Sequence, residues 1–140
     1  MVYLDTSVVV PLFVPEPASR DILDWIASCS DRIASSDWLL PEYSNALRIK
    51  VRAREITARQ ARSAERAFAD FCQGGLLLAA VSRPAFAAAA RLAGHPAGAF
   101  RGADALHLAM AREMGATMLA TADASLARGA ESQGVPVKRF

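Results

Sequence analysis

Apolar residues in this chain come in short solid runs separated by one-sided stripes, which is how buried parallel strands alternate with amphipathic helices. The run Val2–Asp5 ends in a polar turn and predicts a first strand. Ile22, Trp25, Ile26 and Cys29 then repeat at i, i+3, i+4 and i+7, predicting a helix around Ala18–Cys29. Arg32–Ser35 reads as a second, weaker strand. After it, Pro41 suits the first turn of a helix, where its missing N–H is not needed. Leu40, Tyr43 or Ser44, Leu47 and Val51 would form the apolar face of that helix.

Thr57 with Gln60 three residues later makes a capping box for the next helix. Its apolar face is Ala61, Ala64, Phe68 and Phe71, and Gly74–Gly75 ends it. Leu76–Val81, six apolar residues in succession, suits a central strand and is too short for a helix. Ser82 and Pro84 open a helix that runs through Leu92 and stops at Gly94. Gly98 and Gly102 bracket a turn before the helix Ala103–Met114, which Gly115 stops. A strand at Thr117–Thr121, a helix near Ala124–Ser132 and a strand at Val135–Arg139 complete the chain. Strands separated by helices imply right-handed parallel crossovers. With no linker, repeat or low-complexity segment, residues 1–140 are expected to form a single three-layer α/β/α domain around a central parallel sheet.

Composition narrows the picture only a little. At 140 residues and 53% hydrophobic content, the chain suits one domain with a sizeable core. A net charge of +2 names no partner, but its distribution is uneven. Arg48, Lys50, Arg52, Arg54, Arg59, Arg62 and Arg66 face only Glu55 and Glu65 in the same stretch, which suits either a polyanion or a solvated pair of helix faces. Cys29 and Cys72 lack metal-ligand spacing and read as reduced, buried side chains. MVYLD carries no basic leader, and the run Val8–Val14, broken by Pro11, is far short of the ~20 residues that span a bilayer. The expectation is a soluble, cytoplasmic protein with no membrane partner.

Four acidic residues change the picture most. Asp5 closes the first strand and Asp123 lies two residues past the Thr117–Thr121 strand, while Glu42 and Asp104 fall in the first turns of helices. The strand ends of a parallel sheet are where such folds gather functional groups. Four carboxylates in one crevice repel one another, and a pair at 4 Å costs up to about 4 kcal/mol at an effective dielectric near 20. A divalent cation would offset that repulsion, and all-oxygen donors suit Mg²⁺ or Mn²⁺. Such an ion activates water and clamps phosphoryl oxygens, which fits phosphodiester hydrolysis. Each residue also has a plainer use: Asp5 in an Asx turn, Glu42 as a first-turn Glu, Asp104 and Asp123 as helix caps. Four such coincidences in one small α/β domain are less economical than one site.

Four blocks in this order, YLDTSVVV, PEYSNAL, RGADALHLAMA and TMLATADASL, followed by GVPVKRF, resemble a PIN-domain ribonuclease of the VapC toxin type over essentially the whole length. That resemblance implies a Mg²⁺- or Mn²⁺-dependent endoribonuclease, the toxin of a toxin–antitoxin pair. Its acidic set would be Asp5, Glu42, Asp104 and Asp123. Asp5 and Asp104 match the usual metal ligands, Asp123 a more variable third. Ser7 and Thr121 match small polar positions of the same pocket. The resemblance further implies an RNA substrate, a homodimer, and an antitoxin protein that places a basic residue in the acidic pocket. Ala122 departs from the bulkier residue often found before the last aspartate.

Several residues carry weaker expectations. Asn45 shares the i, i+3 face of Glu42 and is expected to line the pocket. His107, one turn after Asp104, reads first as a hydrogen-bonded core histidine. Asp37 and Arg101 are open between site and loop roles, and Trp25 and Trp38 read as core or dimer-interface residues. A haloacid-dehalogenase-type phosphatase would want a second aspartate where Ser7 stands. The rival from another class is a catalytically inactive module of the same fold that binds nucleic acid or a protein partner.

Overall fold

The computed structural model describes residues 1–94 and 100–140. Each solid apolar run forms a short strand: β1 (Val2–Leu4), β2 (Ile33–Ser36), β3 (Leu77–Ala79), β4 (Met118–Thr121) and β5 (Val137–Arg139). They make one sheet in the order β3-β2-β1-β4-β5 with every pairing parallel. Tyr3 of β1 lies opposite Ala34 of β2 and Leu119 of β4, and Leu4 lies opposite Ala120. The first strand in sequence is therefore central in space, and its C-terminal end is flanked by those of β2 and β4.

Between the strands run α1 (Thr6–Val9), which continues as a 3-10 turn over Val10–Leu12, and α2 (Ser19–Ser28). They are followed by α3 (Leu39–Arg52), α4 (Ala58–Gly74), α5 (Arg83–Ala93), α6 (Gly102–Glu113) and α7 (Ala124–Ser132). The local signals explain most of these bounds. Thr57 and Gln60 form both halves of the capping box of α4. The Ser82 hydroxyl accepts from the Ala85 N–H at the start of α5, and Gly94 closes that helix. Gly115, at φ +66°, turns the chain after α6 in a conformation that favours glycine.

Two apolar cores lie on opposite faces of the sheet, because successive strand side chains alternate. Val2, Leu4 and Ala120 pack with Val8, Ile22, Leu39, Tyr43, Leu47 and Phe68 of α1–α4. Tyr3 and Leu119 pack with Ala85, Ala89, Leu106, Leu108 and Leu126 of α5–α7. The three-layer parallel architecture is thus as expected. Fully burying each large aliphatic side chain of these cores contributes roughly 1.5–3 kcal/mol. One close approach needs glycine: a Cβ at Gly129 of α7 would stand 2.3 Å from the Phe100 ring.

Several expectations need correction. The run at Leu76–Val81 forms an edge strand, not a central one, and Leu77 is 42% exposed. The helix expected around Pro41 starts at Leu39, which takes the buried position, while Leu40 is 40% exposed. One residue of phase turns a helix by about 100°, so Leu39 rather than Leu40 shares the face of Tyr43, Leu47 and Val51, which pack as expected. Cys29 and Cys72 are free thiols but only half-buried. Gly102 is the first residue of α6 rather than part of a turn, and Gly98 lies outside the described residues. The turn of helix right after Asp5 was not foreseen, since four residues carry no readable period. No helix among the described residues is long and apolar enough to cross a membrane.

Candidate active site

The chain leaves β1 at Asp5 and β4 at Thr121, side by side because these strands are paired. Asp5 is buried and caps α1, its Oδ1 accepting from the Ser7 N–H and its Oδ2 from the Thr121 hydroxyl. The Ser7 hydroxyl oxygen accepts from the Ala122 N–H at 2.8 Å and lies 3.3 Å from Thr121 Oγ1. Thr121 Oγ1 in turn accepts from the Asp123 N–H at 2.9 Å. Asp123 caps α7 through Oδ1, which accepts from Ser125 N–H at 2.6 Å and Leu126 N–H at 3.0 Å. The Asx-type bond anticipated for Asp5, which here caps an unforeseen helix, and the cap anticipated for Asp123 both occur, together with their convergence on one cleft.

Across the cleft stands Glu42, in the first turn of α3. Thr6 Oγ1 donates to Glu42 Oε2 at 2.5 Å, and His107 Nε2 lies 2.6 Å from the same oxygen. His107, 3% exposed on α6, has its Nδ1 3.0 Å from the Tyr3 hydroxyl. That hydroxyl is 2.9 Å from Ser36 Oγ at the end of β2. Asp104, in the first turn of α6, comes from a third direction. Asp5, Thr6, Ser7, Glu42, Asp104, His107 and Asp123 line one cavity of about 150 Å³. A larger cavity of about 810 Å³ between α5, α6 and the end of α7 is lined mainly by apolar side chains and by none of the four carboxylates. Size is a poor guide to chemistry here.

The carboxyls differ in charge balance. Burial pushes Asp5 above the usual aspartate range, and the nearby His107 and the Ser7 and Thr121 hydrogen bonds offset that only in part. Asp104 is also raised, first by burial and then by the negative charges of Asp123 and Asp5, while the backbone at Arg101 and the Arg101 charge oppose this. For Glu42, burial acts upward, but the hydrogen bond and charge of His107 and the Thr6 hydrogen bond outweigh it and hold the carboxyl low. Burial pushes the Tyr3 hydroxyl up to about 12, so it stays protonated at neutral pH.

The donor set suits a hard divalent cation, and the mutual repulsion that raises Asp104 is what such an ion would relieve. Among the described residues, no group of three or more His, Cys, Asp or Glu side chains is arranged to hold a metal ion as it stands. An ion there would complete its shell with water or substrate oxygens, as Mg²⁺ commonly does.

Of the residues singled out from sequence, Asp5, Glu42, Asp104, Asp123 and Ser7 face the cavity, and Thr121 holds Asp5 from beneath. Asn45 does not line it: the residue is exposed on α3. Asp37 is exposed, and Arg101 is exposed at the start of α6. Trp25 packs edge-on against Phe140, and Trp38 Nε1 is a buried atom without a hydrogen-bond partner. Thr6, Tyr3 and Ser36 were missed. Thr6 had a signal, a hydroxyl directly after the strand-ending aspartate, whereas Tyr3 sits in a solid apolar run that reads as core.

A profile described as PIN domain matches residues 2–132. No match is found among curated protein sequences. Solved structures of similar fold include the VapC20 toxin of Mycobacterium tuberculosis, described as cleaving the sarcin–ricin loop, at 19% identity and a TM-score of 0.74. That match covers 91% of this chain and 94% of the toxin. FitAcB from Neisseria gonorrhoeae matches at 20% identity and 0.70, covering 98% of this chain and 96% of its own. VapBC2 from Rickettsia felis, bound to a promoter DNA fragment, matches at 19% and 0.64, covering 99% and 98%. At these identities the likeness establishes the fold.

Proposed function

The chain belongs to the PIN domain family, and on that footing we propose that it is a Mg²⁺- or Mn²⁺-dependent endoribonuclease acting as the toxin of a toxin–antitoxin pair. The observation that carries this reading is the convergence of Asp5, Glu42, Asp104 and Asp123 from four separate elements on one small cavity. Asp5, Asp104 and Asp123 would hold the cation. When bound, a divalent ion lowers the pKa of a water and neutralises charge on phosphoryl oxygens.

The protein's own part is to orient and to move a proton. Thr121 and the Ser7 N–H fix both oxygens of Asp5, so its position does not depend on a ligand. Glu42, held ionised, is placed to accept a proton from the attacking water at its open oxygen Oε1. In-line attack on the RNA phosphorus would break the P–O3′ bond, the departing 3′ oxygen taking its proton from solvent, and leave 5′-phosphate and 3′-hydroxyl ends. The likeness in fold to FitAcB and to VapBC2 supports an antitoxin protein as partner, and the family resemblance would have it place a basic residue in the acidic cleft. A homodimer and action in the cytoplasm belong to the same reading.

The test is cleavage of a mixed, structured RNA pool with Mg²⁺ or Mn²⁺, beside Asp104→Asn. Cutting that needs the metal and vanishes in the variant supports the assignment. Full activity in a folded Asp104→Asn protein removes Asp104 from the machinery. A wild-type protein that neither cuts nor binds the ion would instead be an inactive module of this fold.

A further inference from the structure

Glu42, like Asp123, makes its hydrogen bonds through one oxygen only, but its partners are side chains rather than the backbone of its own helix. Oε2 lies 2.6 Å from His107 Nε2 and 2.5 Å from Thr6 Oγ1, whereas no hydrogen bond among the described residues reaches Oε1, and the buried, unpartnered Trp38 Nε1–H acts on the same carboxylate only from further off. An ionised carboxylate can only accept, so the short contact needs a proton on Nε2. Both the neutral ring protonated at Nε2 and the doubly protonated ring meet that need. The tautomer with its proton on Nδ1 alone would set two lone pairs face to face.

The other side of the ring is fixed as well. Nδ1 lies 3.0 Å from the Tyr3 hydroxyl, which lies 2.9 Å from Ser36 Oγ. Tyr3 also meets the ring edge-on, with centroids 5.8 Å apart and planes at 67°. All three side chains are buried, and Tyr3 and Ser36 stand on adjacent central strands. Turning the imidazole would therefore break hydrogen bonds on both nitrogens inside the core. A chain of side chains thus runs from the sheet to one oxygen of one carboxylate.

We propose that His107 is the positioning residue of Glu42: by engaging Oε2 it leaves Oε1, and Oε1 alone, aimed at whatever water or cation the cleft receives. Its consequence for catalysis rests on the nuclease reading; its geometry does not. Thr6 and His107 both share Oε2 and line the cavity, but it is His107 that is in turn hydrogen-bonded to a strand side chain, Tyr3.

Two measurements on the intact protein test this. The chain has two histidines, His95 and His107, so loss of signals in His107→Gln assigns the His107 ring in a nitrogen-15 spectrum. The expected spectrum shows a protonated Nε2 whose resonance moves in Glu42→Gln. A ring protonated at Nδ1 alone, or one unmoved by Glu42→Gln, overturns the proposal whether or not RNA is cut. In the cleavage assay, His107→Leu is expected to lower kcat by about 10- to 100-fold with KM little changed. His107→Gln, which can return an N–H to Oε2, should recover most of that loss. A folded His107→Leu protein with the wild-type kcat overturns the proposal, and so does a Gln variant as slow as the Leu variant at equal Tm. Should the wild type cut no RNA, the nuclease reading fails alone, and the imidazole spectrum still decides the positioning.

Discussion

Asp5 and Glu42 face the same cavity, but the protein holds them by different means. Asp5 is buried at the end of β1 and accepts from a backbone N–H and a threonine hydroxyl, neither of them charged. Its carboxyl is pushed up. Glu42 is less buried, contacts an imidazole and a hydroxyl through a single oxygen, and is held low. Depth separates the two first, since burial dominates at Asp5, and His107, whose charge acts on both, prevails only at Glu42, where it also hydrogen-bonds. Neutral donors orient a carboxylate without fully compensating its charge, whereas a histidine does both. In the nuclease reading proposed above, a cation would therefore be needed on the Asp5 side more than on the Glu42 side, which His107 already balances.

Chelation should break that contrast most sharply. EDTA should take cleavage below detection and Mn²⁺ should restore it, because the Asp5 side carries the uncompensated charge. Next comes Asp5→Asn, which keeps the shape and removes the charge. Its cleavage rate should fall by at least about 100-fold, the scale of losing one electrostatic stabiliser, with an unchanged circular dichroism spectrum. Thr121→Val sharpens the comparison from the stability side. It strips a donor from a buried carboxylate and should cost roughly 1–3 kcal/mol in a urea titration. The smallest effect is expected on the balanced side. Thr6→Val leaves His107 on Oε2, so cleavage should fall only about 3- to 10-fold, the worth of one ordinary hydrogen bond. A Thr6→Val protein slower than Asp5→Asn would invert the contrast.

What the sequence disclosed follows from which interactions are local. The box at Thr57 and Gln60, the cap at Ser82 and the stop at Gly94 are each decided within four residues, and each stands where the chain alone places it. The acidic set could be anticipated because parallel sheets gather functional groups at strand ends, and the pairing of β1 with β4 is what brings Asp5 and Asp123 together. Strand order is not local, which is why an unbroken apolar run at Leu76–Val81 looked central yet lies at an edge. Asn45 failed for a related reason: sharing a helix face with Glu42 does not give it the same neighbours. His107 was read as a core residue, which it is, but its second role depends on Tyr3 and Glu42, 104 and 65 residues away in sequence. No periodicity reports such a meeting.

Asp123 has one oxygen in the service of α7, where it accepts from the N–H groups of Ser125 and Leu126. Position 123 is therefore constrained twice, by the chemistry of the cleft and by the start of a helix. Asparagine caps a helix about as well as aspartate, while alanine loses about 1 kcal/mol there. The two substitutions are thus unequal as mutational routes. A change from carboxylate to amide can silence the site in a protein that still folds and still meets its partners. Small apolar replacements would loosen α7 along with it. Under the toxin reading proposed above, asparagine is the easier escape, and relatives that have lost activity should carry it at this position more often than alanine.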